Sequence, residues 1–360
     1  MLYLINKQLH MQRSVSDLPA LRKVAVIGAG VAGISAATAL TQSGVDVDVY
    51  EKECTAGGHL NRWHLLFPGR EAAARVRKGL LQEISATGLH LRTSSGVKEI
   101  TREWEGFRVT TDGGESREYR ALVLATGFRL FDASLKEEYG YGIYPQVITS
   151  PDLERRLEEG GEGLAIGGHS PGRVAFVHCV GSRDAKAGNL YCSRVCCITG
   201  VKQAISVKER YPSCEVVNFY MDLRMFGSGY EELYQEAQEK YGITFIRGRV
   251  SEAAPTLGRA LQIKAEDTLL GRPLKITADW MVLLVGMEPS IPREWHEALS
   301  LNTDVAGFAA GSDKFLRPGE SSARGVFIAG ACAGPASIPE SVNQGRAAAL
   351  SVVRYLNSGE

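Results

Sequence analysis

Cys179, Cys192, Cys196 and Cys197 fall within residues 173–202, RVAFVHCVGSRDAKAGNLYCSRVCCITGVK, at the spacing Cys-x12-Cys-x3-Cys-Cys. Four thiolates brought to one point suit an iron–sulfur cluster: soft sulfur matches iron, and each iron of a cubane takes one ligand from the protein. Other chemistries remain open. Zinc can use four cysteines, although its fingers favour paired Cys-x2-4-Cys loops, and vicinal Cys196-Cys197 fills two corners of a tetrahedron awkwardly. A redox dithiol would normally be Cys-x2-Cys, which is absent here, and free cysteines also serve as small core hydrophobes. The elements that must position these thiols are legible. Residues 173–180 have the β-branched and aromatic character of a buried strand, and from residue 194 the apolar spacing is that of a helix. The cysteines thus sit at the strand-to-helix crossing where a doubly wound α/β unit binds its ligand. They stand where a glycine-rich turn would usually be.

That turn occurs elsewhere in the chain. Residues 23–27 form a short apolar strand, followed by Gly28-Ala29-Gly30-Val31-Ala32-Gly33, an alanine-rich helix to about residue 43, and a second strand over 45–50 that ends at Glu51. This is the dinucleotide fingerprint in its strand–turn–helix–strand setting. Gly28 permits the tight turn, Gly30 lets backbone approach a pyrophosphate, and Gly33 lets the helix pack on the strand. Glu51 accepts from the ribose hydroxyls. A glycine turn serving only packing would not require an acid at that strand end.

Later motifs resemble those of the flavoprotein oxidoreductases with two dinucleotide domains. Cys54-Thr55-Ala56-Gly57-Gly58 resembles their second glycine pair, Ala121-Leu122-Val123-Leu124-Ala125-Thr126-Gly127 the strand closing the FAD half, and residues 325–331 the last flavin-contacting strand. The resemblance implies FAD as cofactor. Its contacts would be Gly28, Gly30, Val31, Ala32, Gly33, Glu51, Lys52 and Gly58 from the first segment. Ala125, Thr126, Gly127, Gly330, Ala331 and Ile338 would add contacts from later ones. Where such proteins usually place aspartate after Gly330, this chain has Ala331. Beyond it Ser337 is a candidate N-cap and Pro339 suits a first turn, so a helix over about 341–355 would aim its N-terminus at the flavin.

Composition sets the frame. At 360 residues the chain is too long for one ordinary core, and 44% hydrophobic with 23% charged residues is globular. Net charge is zero, which offers no electrostatic case for nucleic acid or an anionic membrane. Apolar runs such as 121–125 and 280–285 are far short of the roughly 20 residues that cross a bilayer, so direct membrane insertion is not expected. The first residues lack a signal-peptide pattern, and seven cysteines, mostly clustered, argue for a reducing cytoplasm over a disulfide framework. The expected organisation is an N-terminal extension over 1–22, an FAD-binding domain in two segments, 23–145 and 289–360, and a second module over 146–288.

That module alternates as βαβαβ: strands at 173–180, 215–221 and 243–247 and helices at 193–210 and 229–241, with 280–285 a closing strand returning to the first domain. It has no GxGxxG after its first strand, so it offers no ready pyrophosphate site for NAD(P)H. Cys54, Cys214 and Cys332 are single and read as core or strand-end residues.

The combination of Gly28-x-Gly30-x2-Gly33, Cys179-Val180-Gly181-Ser182-Arg183-Asp184, Tyr191-Cys192-Ser193-Arg194-x-Cys196-Cys197, Tyr220-Met221-Asp222-Leu223-Arg224 and Gly229-Tyr230-Glu231-Glu232 resembles the A-type subunits of heterodisulfide reductase and their relatives, from about residue 23 to the end. The resemblance implies an α/β fold of two Rossmann-like domains, thioredoxin/pyridine-nucleotide-disulfide reductase-like, the second inserted in the first. It implies FAD and a [4Fe–4S] cluster on Cys179, Cys192, Cys196 and Cys197, with Ser182, Arg183 and Arg194 as neighbours of the cluster. It also implies an oxidoreductase subunit that relays electrons to heterodisulfide-reductase-like B and C type subunits or equivalent proteins, and pairs with a second copy of itself. The methanogen subunits carry further ferredoxin-like regions that this chain lacks. The shorter form looks more like those of sulfur-oxidising heterodisulfide-reductase-like complexes or of the quinone-interacting membrane-bound oxidoreductase. Two other classes are to be weighed: a stand-alone NAD(P)H-dependent flavin reductase, and a non-catalytic assembly subunit with structural cofactors.

Overall fold

The computed structural model describes residues 22–159, 163–165 and 168–358. The expected N-terminal extension, Arg22 apart, lies outside the described residues.

Short, mostly apolar strands must be covered on both faces, and two mainly parallel sheets satisfy that requirement. The first runs Gly311–Asp313, Arg317–Ser321, Val326–Ile328, Ala121–Leu124, Lys23–Ile27, Asp46–Tyr50, His90–Arg92. Its five strands from Val326–Ile328 to His90–Arg92 are parallel neighbours. The second runs Val147–Thr149, Trp280–Val285, Arg173–Val180, Glu215–Tyr220, Thr244–Arg247, all parallel. Every strand of the second sheet lies, in sequence, between Ala121–Leu124 and Gly311–Asp313 of the first, so the second domain is inserted in the first.

Helix Val31–Gln42 and the last helix, Ile338–Asn357, pack together over the first sheet. Their contact is close because both offer small residues: a Cβ on Gly345 would lie 2.3 Å from the Ala32 carbonyl oxygen. Helix Cys196–Arg210 is buried without interruption from Cys196 to Val207, against the second sheet on one side and helices Ser150–Glu158 and Tyr230–Glu239 on others.

Three details differ from expectation. Trp280–Val285 is not a closing strand but a central one, paired on both edges, as its unbroken apolar sequence WMVLLV requires. The return is made by Met287–Pro289, antiparallel to Phe128–Leu130. Helix 193–210 begins only at Cys196, because Cys192 to Val195 are held in a loop. A three-stranded antiparallel sheet, Val250–Pro255, Leu261–Asp267 and Arg272–Ala278, packs beside the inserted domain and is not among the expected elements. Its signal is the alternation of buried Leu261, Ile263 and Ala265 with exposed Gln262. Among the described residues no helix is long and apolar enough to cross a membrane.

Candidate functional site

The glycines of the first turn are required for different reasons. Gly28 has φ +105° and a Cβ there would sit 2.4 Å from the Ala125 carbonyl oxygen; a Cβ on Gly33 would sit 1.9 Å from that of Gly28. Both positions are closed by the protein itself. Gly30 is not: a Cβ there meets nothing within 4 Å. It opens the first turn of helix Val31–Gln42, whose leading N–H groups lack helical partners and attract anions. Packing therefore does not require glycine at 30.

Glu51 is buried beside this turn. Its Oε2 accepts the Ala29 N–H at 2.9 Å and its Oε1 the Glu53 N–H at 2.9 Å, which leaves further lone pairs for hydroxyl donors. The second glycine pair folds back onto the first: Gly57 N–H donates to Ala29 O at 2.8 Å, and Gly58, at φ +56°, comes so close that a Cβ would lie 3.1 Å from Gly30 Cα. Thr126 and Ser290 hydroxyls hydrogen-bond at 2.8 Å, and Ser290 donates to Gly127 O at 2.7 Å, joining the Ala125-Thr126-Gly127 strand end to the chain returning from the inserted domain.

These groups border one cavity of about 830 Å³. Gly28, Gly30, Val31, Ala32, Glu51 and Lys52 line it, with Gly58, Ala125, Thr126, Gly127, Ala331 and Ile338. Gly33 and Gly330 stand behind the wall, where they permit packing; a Cβ on Gly330, at φ +76°, would meet Ala32 Cβ at 2.6 Å. Ser337 and Glu340 form a reciprocal capping box at the start of the last helix, with Pro339 in its first turn. The same cavity is also lined by Ser193, Val195, Cys196, Thr199 and Lys202.

The cysteines lie where the sequence places them, between the end of strand Arg173–Val180 and the start of helix Cys196–Arg210. Cys179, Cys196 and Cys197 are buried and their thiols touch. Cys196, between its two neighbours and buried, is raised well above the ordinary thiol value, while Cys179 is lowered to about 7. Cys197 is drawn down to about 4, first by Cys196 and, against burial, by the His178 ring. Cys192 stands at the more exposed rim, where its Sγ accepts the Arg194 N–H at 3.3 Å. The Arg183 guanidinium lies within electrostatic reach of both Cys179 and Cys192. Among the described residues no three His, Cys, Asp or Glu side chains converge on a single-ion site. A cubane asks something different, one thiolate for each of four irons, and the donor set of four sulfurs around one crossing has that chemistry.

The loop between Cys179 and Cys192 is anchored from three sides. Lys136, itself buried, donates to Asp184 at 2.8 Å. Asn189 Nδ2 donates to Gly181 O and to Glu288 at 3.0 and 3.1 Å, and Tyr191 OH donates to Met287 O at 2.9 Å. Of seven non-glycine residues with positive φ among the described residues, Cys179 (+60°), Arg183 (+52°) and Arg194 (+58°) belong to this segment, so the backbone here is held in a costly conformation by its surroundings.

Sequence reasoning missed one feature of the cavity wall. Lys202, buried and pushed down by burial, donates to Glu154 and, at 2.8 Å, to Leu65 O. Gln203 and the His64 N–H complete Glu154's shell at 2.7 and 2.9 Å. A lysine within a helix stretch buried on all sides is the signal that could have found it. Cys214 and Cys332 are buried, as expected; Cys54 is instead exposed in a turn on the cavity rim, because strand Asp46–Tyr50 has already ended.

The sequence profile of the pyridine nucleotide-disulphide oxidoreductases matches residues 22–168 and 197–345. Methanopyrus kandleri has two A-type iron-sulfur subunits of CoB–CoM heterodisulfide reductase, numbered 1 and 2. To the one numbered 1 the chain is 31% identical over 460 aligned positions, covering 99% of this chain and 68% of that protein. The chain belongs to the family of A-type heterodisulfide reductase subunits, within the pyridine nucleotide-disulphide oxidoreductases. To the one numbered 2 identity is 43% over 250 residues, 68% of this chain, but the chain spans only 38% of that protein's length. The thioredoxin reductase of T. acidophilum has the same fold, with TM-score 0.68 at 21% identity, covering 94% of this chain and 100% of that one. The two matched segments leave a gap between them. Residues 169–196 hold Cys179, Cys192 and Cys196.

Proposed function

We propose that this chain is the FAD- and [4Fe–4S]-carrying electron-transfer subunit of a heterodisulfide-reductase-like complex in sulfur-compound redox metabolism. One observation carries the reading: the cavity lined by the dinucleotide turn is also lined by Cys196. Bound together, FAD exchanges electrons as a pair and the cluster exchanges them singly.

The chain's own groups have distinct tasks in this reading. The open N–H groups at Gly30 receive the pyrophosphate, Glu51 receives ribose hydroxyls, and the capped N-terminus of the last helix presents its positive end to the cavity. Cys179, Cys192, Cys196 and Cys197 hold the cluster, with Cys196 nearest the cavity and Cys192 nearest solvent. In the inserted domain the crossing that would cradle a nicotinamide dinucleotide is filled by the cysteine loop. Electrons therefore reach this chain from, and leave it to, partner proteins: B and C type subunits or their equivalents, with a second copy of the chain beside it. The relatives, iron-sulfur subunits of heterodisulfide reductase, support this assignment, as does a thiol set suited to a reducing cytoplasm.

The test is anaerobic iron, sulfide and flavin analysis of the purified chain, with electron paramagnetic resonance after dithionite reduction. About four irons, four sulfides and one FAD per chain are expected, with a reduced-cluster signal. Flavin without iron or sulfide would overturn the proposal.

A further inference from the structure

Arginines around the cysteine loop differ in what their guanidinium groups do, and Arg249 reaches Asp184 at 3.7 Å. Arg194 commits one terminal nitrogen to Pro335 O at 2.7 Å and the other to Glu340 at 2.6 Å. Arg247 is turned to Met221 O and Asp222. Arg183 donates from one terminal nitrogen to Asp222 at 2.6 Å, while its other, NH1, is buried with no hydrogen-bond partner. A buried guanidinium N–H without an acceptor is costly and calls for one. Cys179 and Cys192 lie within electrostatic reach of this charge besides Asp222, and both would be thiolates when they hold the proposed cluster. The backbone contributes too: Arg183 is held at φ +52°, and its N–H donates to Tyr191 O at 2.9 Å, beside Cys192. The carbonyl oxygen of Asp222, the anchor of Arg183, lies 3.6 Å from Cys197 Sγ. The arginine and its acid are therefore attached to the loop at both ends of the cysteine set.

We infer that Arg183 is the positioning residue that offsets the negative charge of the cysteine-held cluster and raises its reduction potential, with Asp222 limiting that effect. The inference rests on the proposed [4Fe–4S] assignment. Arg183 cannot give up its proton at any ordinary pH, so its charge is fixed. Reduction adds one electron and one negative charge at the cysteine site, with no proton exchanged by Arg183. A fixed positive charge within electrostatic reach favours that reduced state. The free N–H would donate to a sulfur there, the hydrogen bonding by which proteins tune such centres.

The experiment is a redox titration of the anaerobically purified full chain, followed by electron paramagnetic resonance, with iron and sulfide measured on every sample. Arg183→Gln is expected to keep its iron and shift the midpoint to more negative potential. Arg183→Lys, which keeps the charge but not the fork, should fall between Arg183→Gln and wild type. Asp222→Asn should shift it the opposite way. An iron-loaded Arg183→Gln with an unchanged or more positive midpoint overturns the inference. If Arg183→Gln purifies without iron, Asp222→Asn decides: a positive shift supports the inference and no shift overturns it. A wild-type chain lacking iron and sulfide overturns both this inference and the proposed function, whereas a loaded chain whose potential ignores Arg183 overturns only this one.

Discussion

Arg194, between two of the cysteines, donates to Glu340 at 2.6 Å, and Glu340 is the residue that completes the cap of the last helix. The cysteine loop and the flavin-side helix of the other domain are thereby one hydrogen-bonded unit. Burial pushes the Glu340 carboxyl up, but the Ser337 N–H, Arg194 and the Ser337 hydroxyl together hold it below the ordinary glutamate value. A lowered folded pKa contributes stability that is complete above the unfolded value near 4.5 and is lost as pH falls through the folded one. Arg194→Met should cost about 1 kcal/mol or less, because both side chains are more than a third exposed and water screens them. Glu340→Ala should cost more, losing the cap as well, about 1–2 kcal/mol. Urea midpoints at pH 7 and pH 4 check both: the gap between Glu340→Ala and wild type should narrow in acid.

Gly30 and Gly33 should respond in opposite ways. Gly30→Glu places its side chain in open cavity, so the fold should stay within about 1 kcal/mol of wild type while FAD is lost. Gly33→Ala drives a methyl into the Gly28 carbonyl oxygen and should cost about 1–3 kcal/mol of stability before any question of flavin arises. Flavin absorbance per chain and thermal unfolding separate the two. Full flavin occupancy in Gly30→Glu would refute the placement of the pyrophosphate.

Lys136 holds the loop that spaces Cys179 from Cys192. Burial alone would lower Lys136 and raise Asp184; their hydrogen bond, with Glu138 adding to Lys136, reverses both shifts. The pair therefore contributes fully between the unfolded values, above about 3.8 and below about 10.5, and its contribution is lost as pH falls through the folded value of Asp184 or rises through that of Lys136. Lys136→Met leaves Asp184 buried with only the Lys186 N–H and a more distant Arg249, and should cost about 3 kcal/mol. Iron content should fall with it, whereas in Lys98→Met, an exposed change on an outer strand, it should not.

NADH or NADPH alone should leave the flavin oxidised under anaerobic conditions, since the inserted domain presents cysteines where a dinucleotide turn would stand. Stopped-flow absorbance at the flavin band measures this directly. Rapid bleaching by either nucleotide would favour a self-contained reductase.

Much of this protein was determined by sequence alone, where local chemistry admits few solutions. Lys23–Ile27, the glycine turn and Glu51 carry their own reasons: a tight turn, a close approach and an acid at a strand end. Strand Arg173–Val180 and the Ser337 cap were equally legible, because buried β-branched runs and S-x-x-E spacing are short-range signals. What sequence could not determine depends on residues far apart in the chain. Trp280–Val285 takes a central place only because Val147–Thr149 and Arg173–Val180 flank it. The Lys202–Glu154 pair and the Arg194–Glu340 bond join side chains 48 and 146 residues apart, and no local pattern encodes such pairs. Only the tertiary structure decided that the dinucleotide turn and Cys196 border the same cavity. The insertion of one domain in the other, sealed by Phe128–Leu130 against Met287–Pro289, is what brings them there.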